Sequence, residues 1–181
     1  MRILAIFVLV FVPFVTRAQV LFSEIQLLPT EERFIELYNS GDVDVDLTGW
    51  YIQRKTATGS TFGSLVSSTK FEQKIIKAHE YFLISRSTLL GSDIVYDSLS
   101  LTESNTLHLK DTEREVADQI EWGVVDEGKS YQKTPRGEWV IAERTPRVQN
   151  RESDESILVS EVSGTSRRNT IISGGVLAIS Q

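Results

Sequence analysis

Apolar and polar residues alternate in short runs along most of this chain, and the breaks between runs carry Gly, Pro, Asn and Asp. Residues 20–28 (VLFSEIQLL) alternate and stop at Pro29, which predicts a first strand ended by a breaker. The organising stretch is residues 33–53, RFIELYNSGDVDVDLTGWYIQ. Its pattern predicts two strands joined by a short turn. Phe34, Glu36 and Tyr38 fall on one face and Ile35 and Leu37 on the other, so that one face must be buried. Asn39-Ser40-Gly41-Asp42 then reverses the chain, because these residue types tolerate the backbone angles of tight turns. Val43, Val45 and Leu47 alternate with Asp42, Asp44 and Asp46, as in a sheet with one dry and one wet side. Gly49 allows a kink before Trp50-Tyr51-Ile52 resumes as a strand and buries a large aromatic.

The same reading continues to residue 142. Residues 56–69 are rich in Ser, Thr and Gly and predict a loop with a short strand at 62–66. Residues 74–76 and 81–85 predict two strands about a turn at Lys77-Ala78-His79-Glu80, and 94–96 a short edge strand. Residues 106–109 and 115–122 pattern as a hairpin about 110–114. The last two strands are 130–133 and 139–142, joined through Pro135-Arg136-Gly137, with Trp139 packed inside. Outside the N-terminus no segment sustains an apolar period of 3.6 residues over a helical length, so the pattern predicts an all-β domain, sandwich or barrel.

Composition fits a packed core: 40% of residues are hydrophobic, including three Trp, eight Phe and five Tyr. The first residues read differently. Met1-Arg2 is a positive start, residues 3–15 are apolar, and Thr16-Arg17-Ala18 places small residues before Gln19, which together predict a secretory signal peptide over 1–18. The apolar run is too short to span a bilayer comfortably as a helix, and an uncleaved N-terminal anchor is the alternative. Either way the domain is expected outside the cytoplasm. There is no cysteine, so thiolate metal sites and thiol nucleophiles are excluded. Removing Arg2 and Arg17 with the leader leaves 17 basic against 25 acidic residues, a net charge of −8 that repels phosphate backbones and disfavours nucleic acid as a partner.

The run FIELYNSGDVDVDLTGWYIQ resembles the opening of the lamin tail domain, as found in exported bacterial proteins and nuclear lamins. Ser23-Glu24-Ile25, residues 76–84 (IKAHEYFLI), 105–111 (NTLHLKD) and Val116-Ala117-Asp118 are similar to the family pattern in order. Residues 129–133 (KSYQK), Gly137-Glu138-Trp139 and Thr145-Pro146 resemble the closing strands of the bacterial members. The resemblance covers residues 20–150 and implies an immunoglobulin-like β-sandwich of the lamin-tail type. It also implies glycines at two positions this chain fills otherwise, with His79-Glu80 in one turn and Asn105 before a strand. Asparagine tolerates positive φ, so the second turn is expected to survive. Residues 151–181 then form a polar linker and a tail, ending in an apolar stretch at 170–180 broken by Gly174-Gly175.

Candidate chemistry is sparse. Asp42, Asp44 and Asp46 share a strand face and invite calcium, but strand spacing spreads them at intervals of about 6 to 7 Å rather than around an ion, and a solvated face is the simpler reading. Glu24 and Glu36 form a conceivable acid/base pair, against a simpler role in hydrogen bonding or packing beside Phe34 and Tyr38. Ser67-Ser68-Thr69-Lys70 matches S-x-x-K without the helix and partner motifs that chemistry needs. His79 and His108 give neither a ligand cluster nor a triad. No catalytic, cofactor or metal residue is assigned.

The sequence therefore predicts a non-enzymatic, exported bacterial module that binds, tethers or builds at the cell envelope, with a protein or envelope component as partner, no cofactor and no membrane span beyond the leader. By resemblance, such domains accompany exported hydrolases, so an accessory domain of a truncated hydrolase is one alternative. Others are a hydrolase in its own right, using the glutamates or a metal on the aspartates, and a calcium-stabilised adhesion module. The best candidate surfaces are the loop 56–69 and the face carrying Asp42 to Asp46.

Overall fold

The computed structural model describes residues 20–88 and 91–150; the leader and tail expected at 1–18 and 151–181 lie outside the described residues. Twelve strands and two short 3-10 turns, Thr30–Glu32 and Ser68–Lys70, make up the regular structure described. The strands are β1 (Val20–Gln26), β2 (Phe34–Asn39), β3 (Val45–Asp46), β4 (Tyr51–Thr56), β5 (Gly63–Val66), β6 (Ile75–Ile76), β7 (Tyr81–Ser85), β8 (Ile94–Val95), β9 (Asn105–Lys110), β10 (Val116–Trp122), β11 (Lys129–Lys133) and β12 (Trp139–Glu143). A six-stranded sheet runs β12-β11-β1-β2-β7-β8, a four-stranded sheet β10-β9-β4-β5, and β3 pairs with β6. Neighbours are antiparallel except β7 and β8.

The sheets face each other across one apolar layer, a sandwich-like arrangement consistent with an immunoglobulin-like fold. Phe22, Ile25, Ile35, Leu37, Phe82 and Ile84 supply it from the larger sheet, and Ile52, Val66, Leu107, Leu109, Ile120 and Trp122 from the smaller. Trp50, following the kink at Gly49 (φ +88°), is buried in it as expected. A β-bulge sets the phase of β1. Phe22 pairs with Leu37 and Glu24 with Glu36, so Ser23 is the extra residue. Val20 and Phe22 face the core before the bulge and Ile25 after it; simple alternation would have carried Glu24 inward. The bulge and a second one between Val116 and Asp118 meet at one hydrogen bond, in which Phe22 N donates to Asp118 Oδ2 at 2.9 Å and ties the two sheets together.

The expected hairpin between β2 and the aspartate-bearing strand does not form. Both sides of β2 are occupied, by β1 and β7, and β3 pairs with β6 instead. Asn39 diverts the chain: its buried Nδ2 donates to Val43 O (2.7 Å), Ile76 O (3.3 Å) and Lys77 O (3.2 Å), while its Oδ1 accepts from Gly41 N (3.0 Å). The turn before β7 keeps the glycine-like geometry without glycine, with His79 at φ +58° and its N–H donating to Asn39 O. At the other substituted position the expectation of positive φ fails. Asn105 begins β9, buried in ladder register with Trp122 and Thr56, and its side chain donates back to Thr102 O. The left-handed residue of that hairpin is Arg114, in the turn where Asp111 Oδ1 accepts from Glu113 N and Glu115 N. The β9–β10 and β11–β12 pairs and the β8 edge stand as predicted. Trp139 reaches the core only in part from the edge strand β12, with Lys133 Nζ 5.6 Å from its ring centroid.

Because Asn39 satisfies three carbonyls from two segments, Asn39→Ala leaves buried acceptors unpaired and is expected to destabilise the chain by about 2–3 kcal/mol. Urea unfolding measures this; a change within experimental error would contradict the role given to Asn39.

Candidate functional site

The larger sheet has a second buried face. On the side away from the sandwich core, β1 and β2 place Glu24, Gln26, Phe34 and Glu36, β7 places Leu83 and Ser85, and β11 places Ser130 and Gln132, all buried. Glu24 and Glu36 are direct cross-strand partners, and Gln132 faces Glu24 from the other side. Opposed positions on one face bring like charges close, an arrangement that costs stability unless donors or a proton compensate.

Residues 144–150, after β12, lie across this face as a strap. Thr145 N donates to both oxygens of Glu24 (3.0 and 3.2 Å), and Arg147 N donates to Glu36 Oε2 at 2.5 Å. Local sequence makes this possible. Val148 N donates to Thr145 O, Pro146 occupies the second position of that turn, and Arg147 sits at φ +64° in the third, the signature of a type II turn. The Arg147 guanidinium bonds Asp93, Gly91 O and Tyr81 O, and Asn150 Nδ2 closes the strap by donating to Ser23 O (2.9 Å), Ser23 Oγ (3.1 Å) and Lys133 O (3.0 Å). Asn150 is a buried anchor.

The two carboxyls are not equivalent. Glu24 Oε1 accepts from Ser130 Oγ (2.6 Å), Gln132 Nε2 (3.3 Å) and Thr145 N, and Thr145 Oγ1 lies 3.2 Å from Oε2. Every one of these suits an ionised carboxylate. Glu36 has the Arg147 amide on Oε2 and no partner on Oε1. Burial pushes the Glu36 carboxyl from 4.5 up to about 8, with the Arg147 amide opposing, the Glu24 charge adding to the rise, and the Ser23 hydroxyl and the Arg147 charge also opposing it. Burial also raises Glu24, against the hydrogen bonds from Ser130, Thr145 and Gln132. Tyr81 is pushed up to about 12 by burial and by the charge of Glu36.

Beside the strap an open cleft of about 690 Å³ is lined by Leu21, Tyr38, Tyr81, Lys133, Arg147 and Asn150, among others. The Tyr38 and Tyr81 rings pack with centroids 4.8 Å apart, and its two cations are paired, Lys133 with Asp118 and Arg147 with Asp93.

Of the other candidates, His79 also lines this cleft, and the rest are not among its lining residues. Asp42 Oδ1 meets His79 Nε2 (3.0 Å), Asp44 Oδ1 accepts from Ala78 N (3.0 Å), and Asp46 Oδ1 accepts from Thr48 N (2.8 Å), so each aspartate closes its own contact. The Thr48 hydrogen bonds hold Asp46 below the usual carboxylate range. Among the described residues no group of three His, Cys, Asp or Glu is placed to hold a metal. His108 stacks on Phe62 (centroids 3.9 Å) on the four-stranded sheet, its pKa lowered by burial and by Lys110 and Lys55. Ser67 Oγ contacts Thr69 Oγ1, while Lys70 Nζ lies 5.2 Å from the ring centroid of Tyr96. The strap residues Thr145, Arg147 and Asn150 are the functional candidates that sequence reasoning missed. A signal was present: β2 carries apolar residues at both parities, Phe34 and Tyr38 as well as Ile35 and Leu37, so both faces needed cover.

A carboxyl whose pKa is raised on folding binds its proton more tightly in the folded chain. Its stabilisation is complete below the unfolded value of 4.5 and is lost as pH rises through about 8. Stability in urea is therefore expected to fall by on the order of a few kcal/mol between about pH 5 and about pH 8, and Glu36→Gln to remove most of that slope. A wild-type profile without the decline would contradict the assignment.

Compared with known proteins, residues 15–124 match the model of the Lamin Tail Domain family, more than half of the chain. No curated protein matches. Strands β11 and β12 lie beyond the matched residues, yet β11 hydrogen-bonds to β1 within the same sheet. Among the described residues no helix is long and apolar enough to cross a membrane. The chain belongs to the lamin tail domain family.

Proposed function

We propose that this chain is a non-enzymatic, exported immunoglobulin-like module that binds, tethers or builds at the bacterial cell envelope by presenting a surface to a protein or envelope component. The observation that carries this reading is the fate of Glu24 and Glu36. They are the two carboxyls best placed as an acid/base pair, yet both are fully buried and spent as anchors for the strap. A glycosidase-like pair must flank a bond that substrate can bring between them, and these face each other beneath covering backbone. The family membership supports a non-catalytic role. The N-terminal pattern of residues 1–18 supports export, and the acidic charge balance argues against nucleic acid. Surface remains available at the strap-side cleft, on the loop 56–69 and beside Asp42 to Asp46.

The full chain, expressed with a C-terminal tag in a bacterium, is expected in the periplasm, at the surface or in the medium, and purified protein is expected to bind envelope preparations saturably. Cytoplasmic retention, or uptake that rises linearly without saturation, would contradict the proposal. Millimolar calcium is expected to leave the melting temperature unchanged. A rise of several degrees would favour the cation-stabilised adhesion module, since a ligand of the native state raises stability by mass action.

A further inference from the structure

We propose that the strap of residues 144–150 is a proton-operated latch: it lies on the outer face while the facing carboxyls of Glu24 and Glu36 hold one proton between them, and it lifts when that proton leaves. The inference does not depend on the binding role. It begins from three observations: two fully buried carboxyls in direct cross-strand register, strap amides on both of them, and one carboxyl oxygen without a partner.

The geometry says where the proton sits. Both oxygens of Glu24 already have N–H groups aimed at them, so a proton there would oppose a donor. Glu36 Oε1 faces none and takes the proton without displacing anything, while Oε2 remains free to accept from Arg147 N. With Glu36 neutral the outer face holds a single charge, on Glu24, and that charge is well supplied with donors.

Loss of the proton changes the balance. The groups facing Glu36 are Glu24 and the Ser23 hydroxyl from β1, Tyr81 from β7, its own neighbour Tyr38 on β2, and Arg147 from the strap. Glu24 and the two tyrosines offer no positive charge. The Arg147 guanidinium does, but it is committed to Asp93 and to the carbonyls of Gly91 and Tyr81. A second buried charge therefore stands opposite the first, supported by the Arg147 amide and the Ser23 hydroxyl, although those hydrogen bonds themselves strengthen on ionisation. Relief does not require unfolding the sandwich. Pro146, Val148 and Gln149 are exposed, and the strap is held by hydrogen bonds and the Arg147–Asp93 ion pair rather than by the apolar layer between the sheets. Lifting it readmits water to both carboxylates at the least structural cost. The expected midpoint lies near the raised value of Glu36, about 8, so the latch is closed in neutral and acidic surroundings and opens in alkaline ones.

Hydrogen exchange of the full chain, read amide by amide by NMR from about pH 6 to about pH 9.5 and corrected for intrinsic rates, tests this. Protection of the Thr145 and Arg147 amides is expected to fall by about tenfold per pH unit as pH rises towards the midpoint and to be lost beyond it, while the Leu107 and Leu109 amides in β9, which exchange only through global unfolding, stay far better protected throughout. In Glu36→Gln, which keeps an acceptor and cannot ionise, strap protection is expected to stay flat with pH. The latch is overturned if wild-type strap protection does not change with pH, if the strap amides and those of Leu107 and Leu109 are equally protected throughout, or if Glu36→Gln shows the same fall. Should that variant not fold, the comparison of strap with β9 amides in the wild type decides the matter.

Discussion

Two carboxyls held face to face out of water impose the main constraint on this structure. Each needs hydrogen-bond donors, the pair cannot carry two full charges cheaply, and neither can be turned into the apolar layer. The bulge at Ser23 keeps Glu24 out of that layer by shifting the phase of β1. Ser130 and Gln132 on β11 supply donors from within the sheet, and the turn at Thr145-Pro146-Arg147-Val148 supplies the rest. The apolar layer accounts for why two sheets stack. The carboxyl pair accounts for why the chain continues past β12 and folds back over the outer side.

This constraint also changes what the glutamates can do. Acid/base chemistry asks for a carboxyl with a shifted pKa in a place that substrate can reach. Glu36 has the shift and lacks the access, because the burial that raises its pKa also closes it off. A perturbed carboxyl here marks a joint between a sheet and its covering segment. The adjacent cleft is open, but its cations are paired with Asp118 and Asp93, which leaves tyrosine rings and neutral polar groups as its recognition surface.

Much of the fold was legible in local pattern. Alternation located the strands, and the Asp111 turn and Gly137 marked two hairpins, because adjacent antiparallel strands are specified by residues near in sequence. Pairings across distance were not legible. The reversal signal at Asn39 was real, but the side chain bonds segments separated by more than thirty residues and sends β3 to β6, which no local pattern encodes. The substituted glycine positions show the same limit. His79 accepts the left-handed conformation, whereas Asn105 spends its amide on Thr102 and stays in the ladder. The strap was hidden for a related reason: Thr145, Arg147 and Asn150 read as loop residues, and only the register of Glu24 with Glu36 gives their amides something to bind.

The most direct test is to read the charge on the pair itself. Side-chain carboxyl carbons of Glu24 and Glu36, labelled with carbon-13 and followed by NMR through neutral pH, are predicted to show Glu24 ionised and Glu36 still protonated, the latter releasing its proton only near pH 8. If both carbons titrate together near the ordinary value of 4.5, like exposed glutamates, the outer face is open to water and the account is wrong.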